Sequence, residues 1–122
     1  MHLLYLDDAG SAGNSDERYF VLAGICLFER QVHWLCEAMD SVAARTGHHD
    51  PSTLELHGNP MFAGRSWWRT IRDRAERRSL ICHGLAAARS LRGPWRLFGV
   101  VVDKKARTPE DPVEYAFEQL CN

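Results

Sequence analysis

Closely spaced cysteine pairs are missing from this chain. Its four cysteines, Cys26, Cys36, Cys82 and Cys121, form no C-x-x-C element, which sets aside a cysteine zinc site and a dithiol redox motif. Each stands in an apolar or helical context that suits a small buried thiol. Long hydrophobic runs are missing too: no apolar stretch approaches the roughly 18 residues of a membrane span, and no charged-then-apolar leader opens the sequence. A soluble, reducing, cytoplasmic setting is therefore the expectation. No internal repeat or low-complexity tract occurs, so a repeat architecture is also set aside. Nor is there a strong charge of one sign, since the formal net charge is -1 with histidine neutral.

What is present is an ordinary globular mixture. Hydrophobic residues make up 45% and charged residues 25%, enough apolar surface to argue against wholesale disorder, and 122 residues suit one domain with a modest core. Charge is unevenly spread along the chain. Nine arginines (65, 69, 72, 74, 77, 78, 89, 92 and 96) stand in one segment against two acids, Asp73 and Glu76. A basic helical face of this kind either meets phosphates or forms a solvated surface.

The segment HLLYLDDAG, His2 to Gly10, reads as a short buried strand ending on Asp7 and Asp8 and broken at Gly10. Side chains alternate across a strand, so the two aspartates cannot aim at one site, and the expectation is that Asp7 does chemistry while Asp8 caps the turn. A polar hairpin loop, residues 11 to 18, leads to a second strand, YFVLAGICLF, from Tyr19 to Phe28. Val32, Leu35, Met39 and Val42 then predict a helix over 29–46 that stops at Gly47. After a loop at 48–52, the stretch 53–58 alternates in the manner of a strand. Residues 64–92 predict one long helix opened by Ser66 as N-cap and closed by Gly93 and Pro94. WRLFGVVVD, Trp95 to Asp103, predicts a third strand, and residues 109–122 a last helix with Val113, Ala116, Phe117 and Leu120 on its apolar face. That face, and a sheet of only two or three strands, would need partners the sequence does not supply. The expectation is an N-terminal part of a larger domain, or a homodimer.

Three groups of residues stand out as chemistry-bearing. Asp7 sits at a strand exit. Glu55 and His57 are two apart, so an extended backbone presents carboxylate and imidazole on one side, as a Mg²⁺ or Mn²⁺ ligand pair or with His57 as a proton shuttle. Asp103 would join Asp7 at one sheet edge if the third strand ran parallel beside the first, and two carboxylates so placed stay ionised best with a cation between them. Lys104 and Lys105 could instead neutralise Asp103 or hold a phosphate. For each group there is an ordinary structural role: a turn residue, a turn-facing Glu with a partly buried His, a strand end.

The order LDDAG, YFVLAGICLF, ELHG, VVVDKK and EYAFEQL resembles the uncharacterised family numbered 3800 among the domains of unknown function, assigned to the ribonuclease H-like superfamily. Nearly the whole chain is covered. The family's opening Asp-Glu-Ser-Gly is matched by Asp7, Asp8, Ala9 and Gly10, with departures at Asp8 and Ala9. Its Glu-(Ile or Leu)-His element is matched by Glu55, Leu56 and His57, and its Val-Ile-Asp-Lys-Lys strand end by residues 101 to 105. The resemblance implies an α/β fold, a ribonuclease H-like mixed sheet flanked by helices, incomplete in this chain over residues 1–122. It further implies an acidic cluster holding two divalent metals, Mg²⁺ or Mn²⁺, with Asp7 as first-strand metal ligand, Glu55 as a second acid and His57 as a lesser candidate; Asp103 is the further metal ligand expected from the strand ends. Family members usually carry another Asp-bearing segment near their C-terminus.

Two functions compete at this point. One is a metal-dependent nuclease-like hydrolase of nucleic-acid phosphodiesters, catalysed through Asp7, Glu55 and His57. The other is a non-catalytic nucleic-acid or protein-binding module with an incomplete metal site, for which the 65–96 arginines need supply only positive charge. An aspartyl-phosphate phosphatase fits less well, because Ala9 stands where such enzymes carry their second aspartate.

Overall fold

A computed structural model describes residues 1–106 and 111–122. The described residues form a mixed α/β protein with a three-stranded antiparallel sheet and four α-helices. They divide into two compact units: a sheet unit of Met1–Glu29 with Pro94–Asn122, and a helical unit of Arg30–Gly93.

The sheet unit contains β1 (His2–Ala9), β2 (Tyr19–Phe28) and β3 (Trp95–Asp103) in the order β1-β2-β3. All three predicted strands form. Register places Asp8 opposite Leu22 and Leu22 opposite Val100, while Asp7 lies opposite Ala23 and Ala23 opposite Gly99. Residues directly opposite share a face. Asp8, Leu22 and Val100 therefore share the face that α4 (Pro112–Cys121) covers through a core of Phe20, Leu22, Val102 and Ala116, and Asp7 points to the other face. Gly24 permits β1 to approach β2 closely, because a Cβ there would collide with the carbonyl oxygen of Tyr5. The hairpin loop is held from across the unit. Lys104 donates through Nζ to the carbonyls of Ser11 (2.6 Å) and Asn14 (2.8 Å), and Glu17 accepts the Ser11 N–H.

Three expectations for this unit change: β1, expected to be buried, is exposed at every position but Leu3. β3 runs parallel to β1 but not beside it, because β2 lies between them. β1 also continues past both aspartates to Ala9, so Asp7 sits within the strand and Asp8 does not cap a turn. At the last helix the structure finds α4 starting at Pro112, with Asp111 as N-cap accepting the Val113 N–H at 2.9 Å. The predicted start at Pro109 lies outside the described residues. Of its predicted apolar face, Ala116 and Leu120 pack on the sheet, whereas Val113 and Phe117 are exposed.

The helical unit contains α1 (Val32–Ala44), α2 (Gly58–Ala63) and α3 (Arg74–Ala86), joined by single 3₁₀ turns. Val42, Met61, Trp68, Ile71 and Leu80 form its core, with Leu54, Leu56, Trp67 and Ile81 packed against them. Gln31 Oε1 accepts the Gly93 N–H at 3.1 Å and ties the unit's two ends. α1 buries the predicted side, most deeply at Val42. The stretch 53–58 is not a strand: residues 54–57 are irregular and α2, which the sequence did not signal, begins at Gly58. The predicted long helix is broken. Ser66 adopts a φ of 53° and heads a 3₁₀ turn, and the true N-cap is Asp73, whose Oδ1 accepts the Ala75 N–H at 2.9 Å. The cysteines differ from expectation as well, since Cys36, Cys82 and Cys121 are exposed and only Cys26 is half-buried.

Candidate nucleic-acid interface

The arginines of α3 and its approach have two distinct fates, set by helical spacing. Arg77 turns inward and is buried. Its guanidinium donates through Nε to the Met61 carbonyl (2.9 Å) and through one terminal nitrogen to those of Ile71 (2.6 Å) and Arg72 (3.1 Å). The planar fork thus satisfies carbonyl groups that the end of α2 and the break before α3 would leave without donors. Gly64 makes room for it: with φ 67° it ends α2, and a Cβ there would lie 3.0 Å from the guanidinium carbon.

Arg74 and Arg78 are four residues apart and so lie on one outward face of α3. Both stand over the ring of Phe62, with guanidinium carbons 4.9 Å and 5.8 Å from its centroid. Arg65, Arg69 and Arg72 are exposed in the same unit. Among the described residues, none of these five exposed arginines forms an ion pair with a carboxylate; the ion pairs present are Met1–Glu29, Arg18–Asp103 and His57–Glu55. Asp73, the nearest acid in sequence, is committed to capping α3. The result is five solvated guanidinium groups in one unit, two of them over an exposed aromatic ring. Chemically this suits phosphate oxygens, which arginine can take in a bidentate manner, and flat π surfaces.

The acidic candidates are distributed differently from the expected cluster. Asp7 is exposed on β1, and its Oδ1 accepts the N–H of Asp8 at 3.0 Å. Asp103 is four residue rows along the sheet and two strands across, a separation of roughly 16 Å, whereas metal–oxygen bonds are roughly 2.0–2.6 Å. One ion cannot bridge the two. Asp103 has another partner: Oδ2 accepts from Arg18 at 2.6 Å and 3.0 Å, and Oδ1 accepts the Lys105 N–H at 3.1 Å. The Arg18 hydrogen bond, followed by those from the backbone, holds its carboxyl below the usual aspartate value.

Glu55 and His57 do lie on one side, as their spacing implies. Nδ1 of His57 is 3.8 Å from Oε1 of Glu55, both side chains are exposed, and the intervening Leu56 turns into the core. Among the described residues no three His, Cys, Asp or Glu side chains gather in a group that could hold a metal ion. A neighbouring pocket of about 180 Å³, lined by Leu56, Met61, Leu80 and Ile81 among others, presents only apolar side chains and glycines.

Sequence reasoning missed Phe62, the inward turn of Arg77 and the partnership of Arg18 with Asp103. For Phe62 the available signal is an aromatic residue close before an arginine run. For Arg77 it is the helical spacing to Leu80 and Ile81, three and four positions on, which puts residue 77 on the side that packs. Arg18 carries no comparable signal, since 85 positions separate it from Asp103. Compared with protein-family models, curated proteins and solved structures, the chain matches none of them.

Proposed function

We propose that this chain is a nucleic-acid-binding module that docks the phosphate backbone on the arginine-bearing surface of its helical unit. The observation that carries the reading is the exposure of Arg65, Arg69, Arg72, Arg74 and Arg78 without carboxylate partners among the described residues. Guanidinium groups already neutralised by protein carboxylates would have to break those pairs before meeting phosphate; these do not. Backbone contacts of this type give sequence-independent affinity that weakens as salt is added. The ribonuclease H-like frame implied by the motif order is part of the proposal, supported by a sheet that carries a helix on one face. The test is fluorescence anisotropy with mixed-sequence oligonucleotides at low salt. Replacing Arg69, Arg72, Arg74 and Arg78 by Gln should abolish most of the binding while leaving thermal unfolding unchanged, and equal affinity in the variant would refute the proposal.

A second reading rests on the Glu55–His57 pair. Its 3.8 Å approach supports a divalent-cation ligand pair within the helical unit, the local element of the nuclease reading. Calorimetric titration with Mn²⁺ and Mg²⁺ tests it. Affinity that falls in both Glu55→Gln and His57→Ala supports the pair; affinity unchanged in both removes it.

A further inference from the structure

We infer that the nucleic acid taken by this surface is single-stranded, with an unpaired base stacked on Phe62; the inference rests on the nucleic-acid reading above and names its substrate class. Phe62 is 46% exposed, as Trp34 of the same unit is at 49%, whereas the nearer Trp67 and Trp68 are half-buried or buried; of the two exposed rings, Phe62 is the one with two arginines over it. Its position is fixed from both sides. Met61 just before it is a core residue at 2% exposure, and the same residue's carbonyl is held by the buried Arg77. Gly64, two positions beyond, closes the helix against that same guanidinium.

The backbone that carries the ring is thus held on both sides, within a helix rather than a loop. Arg74 and Arg78 stand over the ring; a base stacks there as the two guanidinium groups turn from it to the nucleotide's phosphate, so cation and π surface are delivered together. A nucleotide carries its phosphate and its base within one residue, and binding both at once needs this pairing of groups. In a duplex the base faces are already stacked on their neighbours and only edges and phosphates are offered. An unpaired base has a free face to stack. Arginines alone would serve either substrate equally; the exposed ring among them favours the single strand. Insertion of Phe62 as a wedge into a duplex is the competing geometry.

The experiment uses the full chain and fluorescence anisotropy with labelled oligothymidylate, oligouridylate and a DNA duplex of matching length, at one fixed salt concentration. Wild type should bind the single strands more tightly than the duplex. Phe62→Leu, which keeps apolar volume but removes the ring, should lose about 5- to 150-fold on the single strands and little on the duplex, with its salt dependence preserved. Phe62→Trp should retain or improve single-strand affinity, and thermal unfolding confirms that both variants fold. Duplex affinity equal to or above that of the single strands, or an unchanged affinity in Phe62→Leu, overturns the inference while leaving the backbone-binding reading intact. Absence of binding to all three probes overturns both. Comparison of the thymidylate and uridylate arms separates DNA from RNA as the preferred single strand.

Discussion

At the residue scale, two ionised groups hold the structure in different ways. Arg77 is buried without a carboxylate, its charge met by the carbonyl dipoles of Met61, Ile71 and Arg72. Replacement by Met keeps the packing volume but leaves those carbonyls without a donor, which should cost about 3 kcal/mol. Thermal unfolding checks this, and a loss under about 0.5 kcal/mol would show that Arg77 is not the brace of this unit. Asp103 and Arg18 form a surface pair with a pH signature. The folded-state pKa of Asp103 lies below its ordinary 3.8, so its contribution is present above the unfolded value and is lost as pH falls through the lower folded value. Asp103→Asn should therefore show a flatter decline in stability than wild type below about pH 4. Urea unfolding across that range measures it, and parallel curves would count against the pairing.

At the element scale, α3 depends on where it starts. Asp73 supplies its cap, and Asp73→Ala should destabilise the chain by about 1 kcal/mol, with Asp73→Ser recovering most of the loss in denaturant melts. An unchanged midpoint in the alanine variant would place the start of α3 elsewhere. This cap also explains what could and could not be read beforehand. β1, β2 and β3 were legible because apolar runs of strand length are bounded by polar or glycine-containing loops, and α1 because its apolar residues recur at helical spacing. The 64–92 segment was not, because Trp68, Ile71 and Leu80 all face one core although two elements carry them. Hydrophobic spacing reports which residues pack inward and is silent about a backbone break between them. α2 escaped notice for a related reason: six residues are too few for a periodic pattern, and its C-terminal end is set by Gly64 and the distant Arg77.

At the scale of the whole molecule, the sequence pattern that singled out Asp7, Glu55, His57 and Asp103 is spread over two units. Asp7 and Asp103 belong to the sheet unit, where the register separates them, and Glu55 and His57 belong to the helical unit. Their spacing along the chain carried the local fact that Glu55 and His57 face one way. It could not carry the strand order that puts β2 between β1 and β3. The arginine run was legible as charge, but the separation of a buried brace from an exposed face required the helix and its core.

The central claim is that the exposed arginines of the helical unit bind nucleic-acid phosphates. It is tested most directly by the salt dependence of oligonucleotide affinity, measured for wild type and for Arg74→Ala/Arg78→Ala in parallel. For a single strand the slope of log K against log salt is about -0.7 per phosphate neutralised, so loss of both arginines should make the slope shallower by about 1.4. An identical slope in the two proteins, or no measurable affinity for any oligonucleotide at low salt, would contradict it.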